Sequence, residues 1–116
     1  MTLEKIKKIL QADVLVGHDA LQTEIETGFG CNLLSDVLAF AKANSILLTG
    51  ITNAQAVRTA ELSDIKAICF VRGKKPSEET VKLVIQNNIP LLLTILPLVE
   101  ACGKLYNAGL RGCFET

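Results

Sequence analysis

Three short stretches hold the residues best suited to gripping a ligand: Thr49-Gly50-Ile51-Thr52-Asn53, Arg72-Gly73-Lys74-Lys75 and Thr94-Ile95. Each follows an apolar run and leads into a helical pattern. Together they offer hydroxyls, backbone N–H groups, helix N-termini and three cations, Arg72, Lys74 and Lys75. A guanidinium can fork two hydrogen bonds to a phosphate or carboxylate, and ammonium groups act as flexible point charges. The first turn of a helix adds unpaired N–H groups and the positive end of its dipole. That chemistry suits an anion such as a nucleotide phosphate. The candidate ligand-binding residues are Thr49, Gly50, Thr52, Asn53, Arg72, Gly73, Lys74 and Thr94. The competing reading makes Gly50 and Gly73 ordinary turn glycines and the Arg72 to Lys75 run a solvated surface turn.

Groups for covalent or acid–base chemistry do not converge in the sequence. The phosphate-binding loop GxxxxGK(S/T), the dinucleotide fingerprint GxGxxG and the nucleophile elbow GxSxG are all missing. Gly28-Phe29-Gly30 opens like the dinucleotide fingerprint, but position 33 is Leu and the residues before it alternate polar and apolar. The sole histidine, His18, lies in a turn, and Asp19, Glu24, Glu26, Asp36 and Asp64 are scattered. Cysteines stand at 31, 69, 102 and 113 with no CxxC pair and no zinc or iron–sulfur spacing. Cys69, amid Ile68, Phe70 and Val71, and Cys102, on a helical apolar stripe, read as small hydrophobes. Cys31 and Cys113 fall in glycine-flanked loops and are expected to be the more exposed pair. The sequence predicts no enzyme, no metal and no cofactor.

Positioning the three loops needs strands before them and helices after them. Ile46 to Thr49, Ala67 to Val71 and Ile89 to Thr94 are continuously apolar, as strands covered on both faces are. Strands of that kind joined by helices form parallel sheets with right-handed crossovers. The ligand crevice of such a sheet lies beyond the carboxyl ends of its strands. The sequence therefore predicts strands near 46–49, 67–71 and 90–94 and helices near 53–63, 77–87 and 96–108. Thr52 and Gln55 have capping-box spacing for the first of these helices. Pro76 and Ser77, with Glu78 and Glu79 in the first turn, start the second, whose buried face is Val81, Val84 and Ile85. Leu98, Ala101, Cys102 and Leu105 make the apolar stripe of the third, and Gly109 ends it.

The remaining elements are lighter. Leu3 to Leu10 is an amphipathic helix with its apolar face at 3, 6, 9 and 10, and Val14 to Val16 is a short strand ending at Gly17. Thr23 to Thr27 alternates like a half-exposed strand near an edge. Gly28 to Asn32 reads as a loop joining the ligand-binding loops, its glycines meeting either positive φ or a close approach by another segment. Leu33 to Lys42 is a helix with Leu34, Val37, Leu38 and Ala41 on one face. Leu110 to Glu115 is a tail or a last short strand. The expected architecture is one small three-layer α/β domain over residues 1–116 with a mostly parallel central sheet.

Bulk composition narrows the partners. Twelve cationic residues balance 12 anionic ones, there is no Trp and there is one Tyr, so neither a basic field nor a stacking platform for nucleic acid is present. Apolar runs are too short to span a bilayer, and the charged start does not read as a signal peptide. A soluble cytoplasmic protein is expected, binding neither nucleic acid nor membrane.

Leu47 to Glu61 and Lys66 to Leu105 resemble the DRTGG domain, a small α/β module of bacterial phosphotransacetylases and some family II pyrophosphatases, where it accompanies CBS domains. FVRGKKPSEETVKLVIQNNIPLLLT is also similar to the N-terminal domain of HPr kinase/phosphorylase, with a strand, an R-G turn, a Pro-led helix and an IPLL-T strand in the same order. The likeness extends to EKIKKILQADVLVG, although the pentapeptide DRTGG itself is absent. It looks nearest to short stand-alone DRTGG proteins of anaerobic bacteria, often encoded beside iron-only hydrogenase genes. The resemblance implies a non-catalytic regulatory domain that senses an anionic ligand such as an adenine nucleotide. The alternative it leaves open is an interaction module docking on a partner enzyme, for example a hydrogenase-associated complex. High apolar content and the dimerisation of related modules add the expectation of a homodimer.

Overall fold

The structure is a computed structural model that describes residues 1–114. Helix α1 (Leu3–Leu10) and strand β1 (Asp13–Val16) come first. Strands β2 (Thr27–Gly30), β3 (Ser45–Thr49), β4 (Ala67–Phe70) and β5 (Leu91–Leu93) then alternate with helices α2 (Leu34–Phe40), α3 (Ala54–Leu62) and α4 (Glu78–Gln86). Helix α5 (Leu98–Asn107) and strand β6 (Arg111–Gly112) follow. The sheet order is β1-β5-β4-β3-β2-β6. Every neighbouring pair is parallel except β1 with β5. The expected parallel pairing of the three central strands is therefore present, and the tail is a short strand. Glu115, at the end of the predicted tail, lies outside the described residues.

Strand alternation builds two cores. Ile46, Leu48, Ala67, Cys69, Val71 and Leu92 face α1 and α5, whereas Leu47, Ile68, Phe70, Leu91 and Leu93 face α2, α3 and α4. Burying one such aliphatic or aromatic side chain contributes about 1.5–3 kcal/mol, so strands that bury both faces can be short. Helices α2, α3 and α4 all lie on one side of the sheet, as successive crossovers of one hand require. Helix α5 lies on the other side and carries the chain from β5 across to β6.

Local chemistry sets the helix ends. Thr2, Asn53 and Ser77 accept hydrogen bonds from the N–H groups of Lys5, Ala56 and Thr80 and cap α1, α3 and α4, about 1 kcal/mol each. The cap of α3 is thus Asn53 and not the predicted Thr52. At the end of α5, Leu110 N–H reaches Leu105 C=O at 3.0 Å, Gly109 N–H reaches Tyr106 C=O at 3.0 Å, and Gly109 has φ 109°. That glycine-terminated cap turns Leu110 back onto the sheet.

Several expectations are corrected. Thr23 to Thr27 is not a strand: Glu24 makes one isolated antiparallel bridge to Thr2, and pairing in the sheet begins at Thr27. Gly28, Phe29 and Gly30 are strand and not loop. Their glycines answer a close approach from α5 and the segment after it. A Cβ on Gly28 would sit 3.0 Å from Leu110 Cδ2, and one on Gly30 would run into the Cys102 thiol. Leu38, placed on the apolar face of its helix, and Ile85, predicted to be buried, are exposed, because α2 buries only Val37 fully and α4 buries Thr80 and Val84. Cys113 is buried, not exposed: its sulfur accepts the Lys42 N–H at 3.4 Å and lies beside the Ser45 and Thr27 hydroxyls. Among the described residues no helix is long and apolar enough to cross a membrane.

Candidate functional site

The carboxyl ends of β2, β3 and β4 open onto a cavity of about 540 Å³, lined by Asn32, Gly50, Ile51, Val71, Arg72, Lys74 and Leu98. The chain leaves β4 toward one face of the sheet and β5 toward the other, so the cavity adjoins a topological switch point, where α/β sheets form their ligand crevices. Of the predicted site residues, Gly50, Arg72 and Lys74 line this cavity. Gly73 shares the Arg72 turn. Thr52 and Asn53 continue the chain beyond Ile51 without lining it, and the Asn53 side chain is committed to capping α3.

Thr49 and Thr94 stand behind the surface. Both are buried, Thr94 to 1% exposure. The Thr49 hydroxyl donates to Asn32 Oδ1 at 3.2 Å and accepts the Ile51 N–H at 3.1 Å. The Thr94 hydroxyl donates to the Leu10 carbonyl at 2.8 Å and accepts the Leu96 N–H at 3.2 Å. Both hydroxyls shape the loops from inside.

Ile51, Val71 and Leu98 line the cavity without being in the sequence-predicted set, and Asn32 is the polar lining residue missing from it. Its Oδ1 takes the Gly50 N–H at 2.7 Å as well as the Thr49 hydroxyl. A side-chain carbonyl therefore already satisfies the N–H expected to meet a ligand. With two donors on Oδ1, the amide nitrogen remains as a donor for the cavity. The sequence signal was available: a polar amide two residues after a strand, at the carboxyl edge.

Arg72 has the most unusual backbone of the site. It sits at φ 62° and Gly73 at φ 65°, and Lys74 N–H closes the turn onto Val71 C=O at 3.3 Å. Positive φ at both central positions is a type I′ turn, which favours Asn-Gly. Among the described residues four other non-glycine positions share positive φ: Asn44, Asp64, Asn88 and Gln11. The first three have side chains that tolerate the left-handed region, and Gln11 caps α1. Arg72 alone combines that conformation with a place on the cavity wall. The turn is held there by Arg72 N–H to Leu96 C=O at 2.9 Å and Gly73 N–H to Thr94 C=O at 2.8 Å. Among the described residues neither Arg72 nor Lys74 has an ion-pair partner. The cavity thus presents two cations and an amide donor over an apolar wall of Ile51, Val71 and Leu98.

Thiol chemistry has no comparable setting. Burial pushes the Cys69 thiol from 9.0 up to about 12 and also raises that of Cys102. His18 lies in a short 3₁₀ turn after β1, away from the cavity residues. Among the described residues no three His, Cys, Asp or Glu side chains form a group able to hold a metal ion.

No protein-family model and no curated protein matches the chain. A solved structure does: the CBS and DRTGG domains of the regulatory region of a Clostridium perfringens pyrophosphatase, complexed with its activator diadenosine tetraphosphate. The TM-score is 0.75 at 17% identity, over 90% of this chain. The fold is DRTGG-like. The match covers 45% of that solved regulatory-region chain, so this chain spans less than half its length. A six-stranded, mostly parallel sheet between helical layers is what the DRTGG-like fold consists of here.

Proposed function

We propose that this DRTGG-like domain is a non-catalytic regulatory module that senses a small anionic ligand, most specifically an adenine nucleotide, in the cavity at the strand ends. The observation that carries the reading is Arg72, kept in a left-handed turn on the cavity wall beside Lys74. Unfavourable backbone conformations persist where function needs the side chain. In the proposed complex Arg72 and Lys74 take the phosphates, Asn32 adds an amide donor, and the N-terminal turn of α3 contributes its dipole. Ile51 and Leu98 supply an apolar surface for the base. The pyrophosphatase neighbour, a regulatory region complexed with a dinucleotide activator, supports a sensing role. Isothermal titration of the chain with AMP, ADP, ATP and diadenosine tetraphosphate tests it. Saturable binding lost in Arg72→Asn supports the site, and heat-free titrations with all four ligands remove the sensing reading.

A second reading has its own observation. Leu33 is 57% exposed after the carboxyl end of β2, and Ile95 and Val99 are 76% and 79% exposed after that of β5. Apolar side chains in those positions suit a protein interface, either a homodimer or a partner enzyme such as the hydrogenase-associated complex suggested by the sequence resemblance. Loss of self-association in an Ile95→Ser, Val99→Ser variant, with nucleotide binding absent from the parent chain, would favour this alternative.

A further inference from the structure

The strand-end cavity carries charge of one sign. Arg72 and Lys74 are its charged lining residues, Asn32 is its neutral polar side chain, and the rest of the lining is apolar or glycine. Among the described residues no carboxylate lines it. Asp36, Glu78, Glu79 and Glu100 stand in the first turns of α2, α4 and α5, outside the lining. Arg72 and Lys74 are both exposed, and neither belongs to a salt bridge among the described residues. Asn32 Oδ1 is taken by the Gly50 N–H at 2.7 Å and the Thr49 hydroxyl at 3.2 Å, which leaves its NH₂ group, a donor, for a ligand. Every polar side chain of the cavity therefore offers a ligand positive charge or a hydrogen-bond donor.

That chemistry distinguishes between forms of a nucleotide. Di- and triphosphates chelate magnesium. At a protein phosphate site the metal is held by one or two carboxylates together with the phosphates, and it keeps several of its waters. The side chains of this cavity supply no carboxylate, and a metal ion there would meet Arg72 and Lys74 as like charges. A terminal phosphomonoester, with its second pKa near about 6, carries close to two negative charges at neutral pH. The two cations of the cavity match it.

We propose that the cavity selects its ligand by a metal-free, dianionic phosphomonoester: it takes a nucleoside monophosphate such as AMP and rejects the magnesium complexes of di- and triphosphates. The inference rests on the reading of this cavity as a nucleotide site and adds the charge state of the ligand. Arg72 forks onto two phosphate oxygens, Lys74 neutralises the third, and the Asn32 NH₂ group donates beside them. The base and sugar lie against Ile51 and Leu98.

Titration calorimetry of the full chain with AMP, ATP and cyclic AMP, each in excess EDTA and in excess magnesium, tests the assignment. AMP should bind alike in both buffers. ATP should bind at least about tenfold more weakly in magnesium than in EDTA, the loss of one charge-assisted contact. Cyclic AMP, a monoanionic diester, should bind at least about tenfold more weakly than AMP, and Lys74→Ala should remove most of that difference. Asn32→Asp keeps the two hydrogen bonds accepted at Oδ1 and puts a carboxylate on the wall. It should weaken AMP at least about tenfold in EDTA and erase the magnesium penalty on ATP. If Asn32→Asp does not fold, the parent chain and Lys74→Ala decide alone. ATP that binds as well with magnesium as without it overturns this inference and leaves the sensing reading standing. So do cyclic AMP that equals AMP and an Asn32→Asp variant with unchanged AMP affinity. Titrations without heat for all three ligands in both buffers remove the sensing reading, and this inference with it.

Discussion

Replacing Arg72 by Asn separates the demands of the fold from those of the site, because the two effects have opposite signs. Left-handed backbone costs an ordinary L-residue about 1–2 kcal/mol, and Asn escapes a good part of it through local hydrogen bonding. Asn-Gly is also the preferred pair for the type I′ turn that Arg72 and Gly73 form. Both N–H groups of the turn bond to backbone carbonyls, so the substitution leaves Leu96 C=O and Thr94 C=O satisfied. The expected gain is about 0.5–1 kcal/mol. At about 2.1 cal/mol/K of unfolding entropy per residue, a chain of 116 residues should rise in Tm by about 2–4 °C. The same change removes a charge-assisted anchor worth about 1.5–3 kcal/mol, which is about a 10- to 150-fold loss of nucleotide affinity. Differential scanning calorimetry without ligand and titration calorimetry with nucleotide read the two effects. A lower Tm would mean that the arginine stabilises the turn and that its backbone is no sign of function. Unchanged affinity would remove Arg72 from the site.

Other outcomes follow from the same geometry. Cys69 has its pKa raised in the folded state, so its stabilising effect is full below about pH 9.0 and is lost as pH rises toward about 12; Cys69→Val should abolish its share, at most about 1.4 kcal/mol per pH unit, of the alkaline loss of Tm. Gly30→Ala should destabilise the chain by about 1–3 kcal/mol through the collision with Cys102, and Cys102→Ala in the same chain should recover most of that in urea unfolding. Thr94→Val should cost about 1–3 kcal/mol by orphaning the Leu10 carbonyl, with the change seen in the urea midpoint and not in the m-value. Sedimentation at tens of micromolar should show a homodimer burying at least about 1,200 Å², and a monomer there removes that expectation.

The central strands were legible because β3, β4 and β5 are apolar at successive positions, a pattern that only coverage on both faces explains. β2 was hidden. Two of its four residues are glycines, which read locally as a loop, and the reason for them lies far along the chain at Cys102 and Leu110. The site was legible as a place, since parallel strands fix where their loops gather. Its inner hydrogen bonds were not. Asn32 takes Gly50 N–H from 18 residues away, and Thr94 bonds Leu10 from 84 residues away. Partners that distant leave no mark in the spacing of a single loop. The same limit explains Leu38 and Ile85: helical periodicity names an apolar face, but how much of it is covered depends on where the neighbouring helices lie.

The hydrogen bonds under the Arg72 turn also form a mechanical linkage. Gly73 N–H grips Thr94 C=O, and the hydroxyl of Thr94 grips Leu10 C=O at the last turn of α1. The turn belongs to a strand end facing the cavity, whereas α1 packs on the opposite side of the sheet from α3 and α4. Two short polar contacts thus couple a surface that can take charge to a helix with no part in that surface. Force applied at the turn would pass along these two bonds to the last turn of α1, on the other side of the sheet.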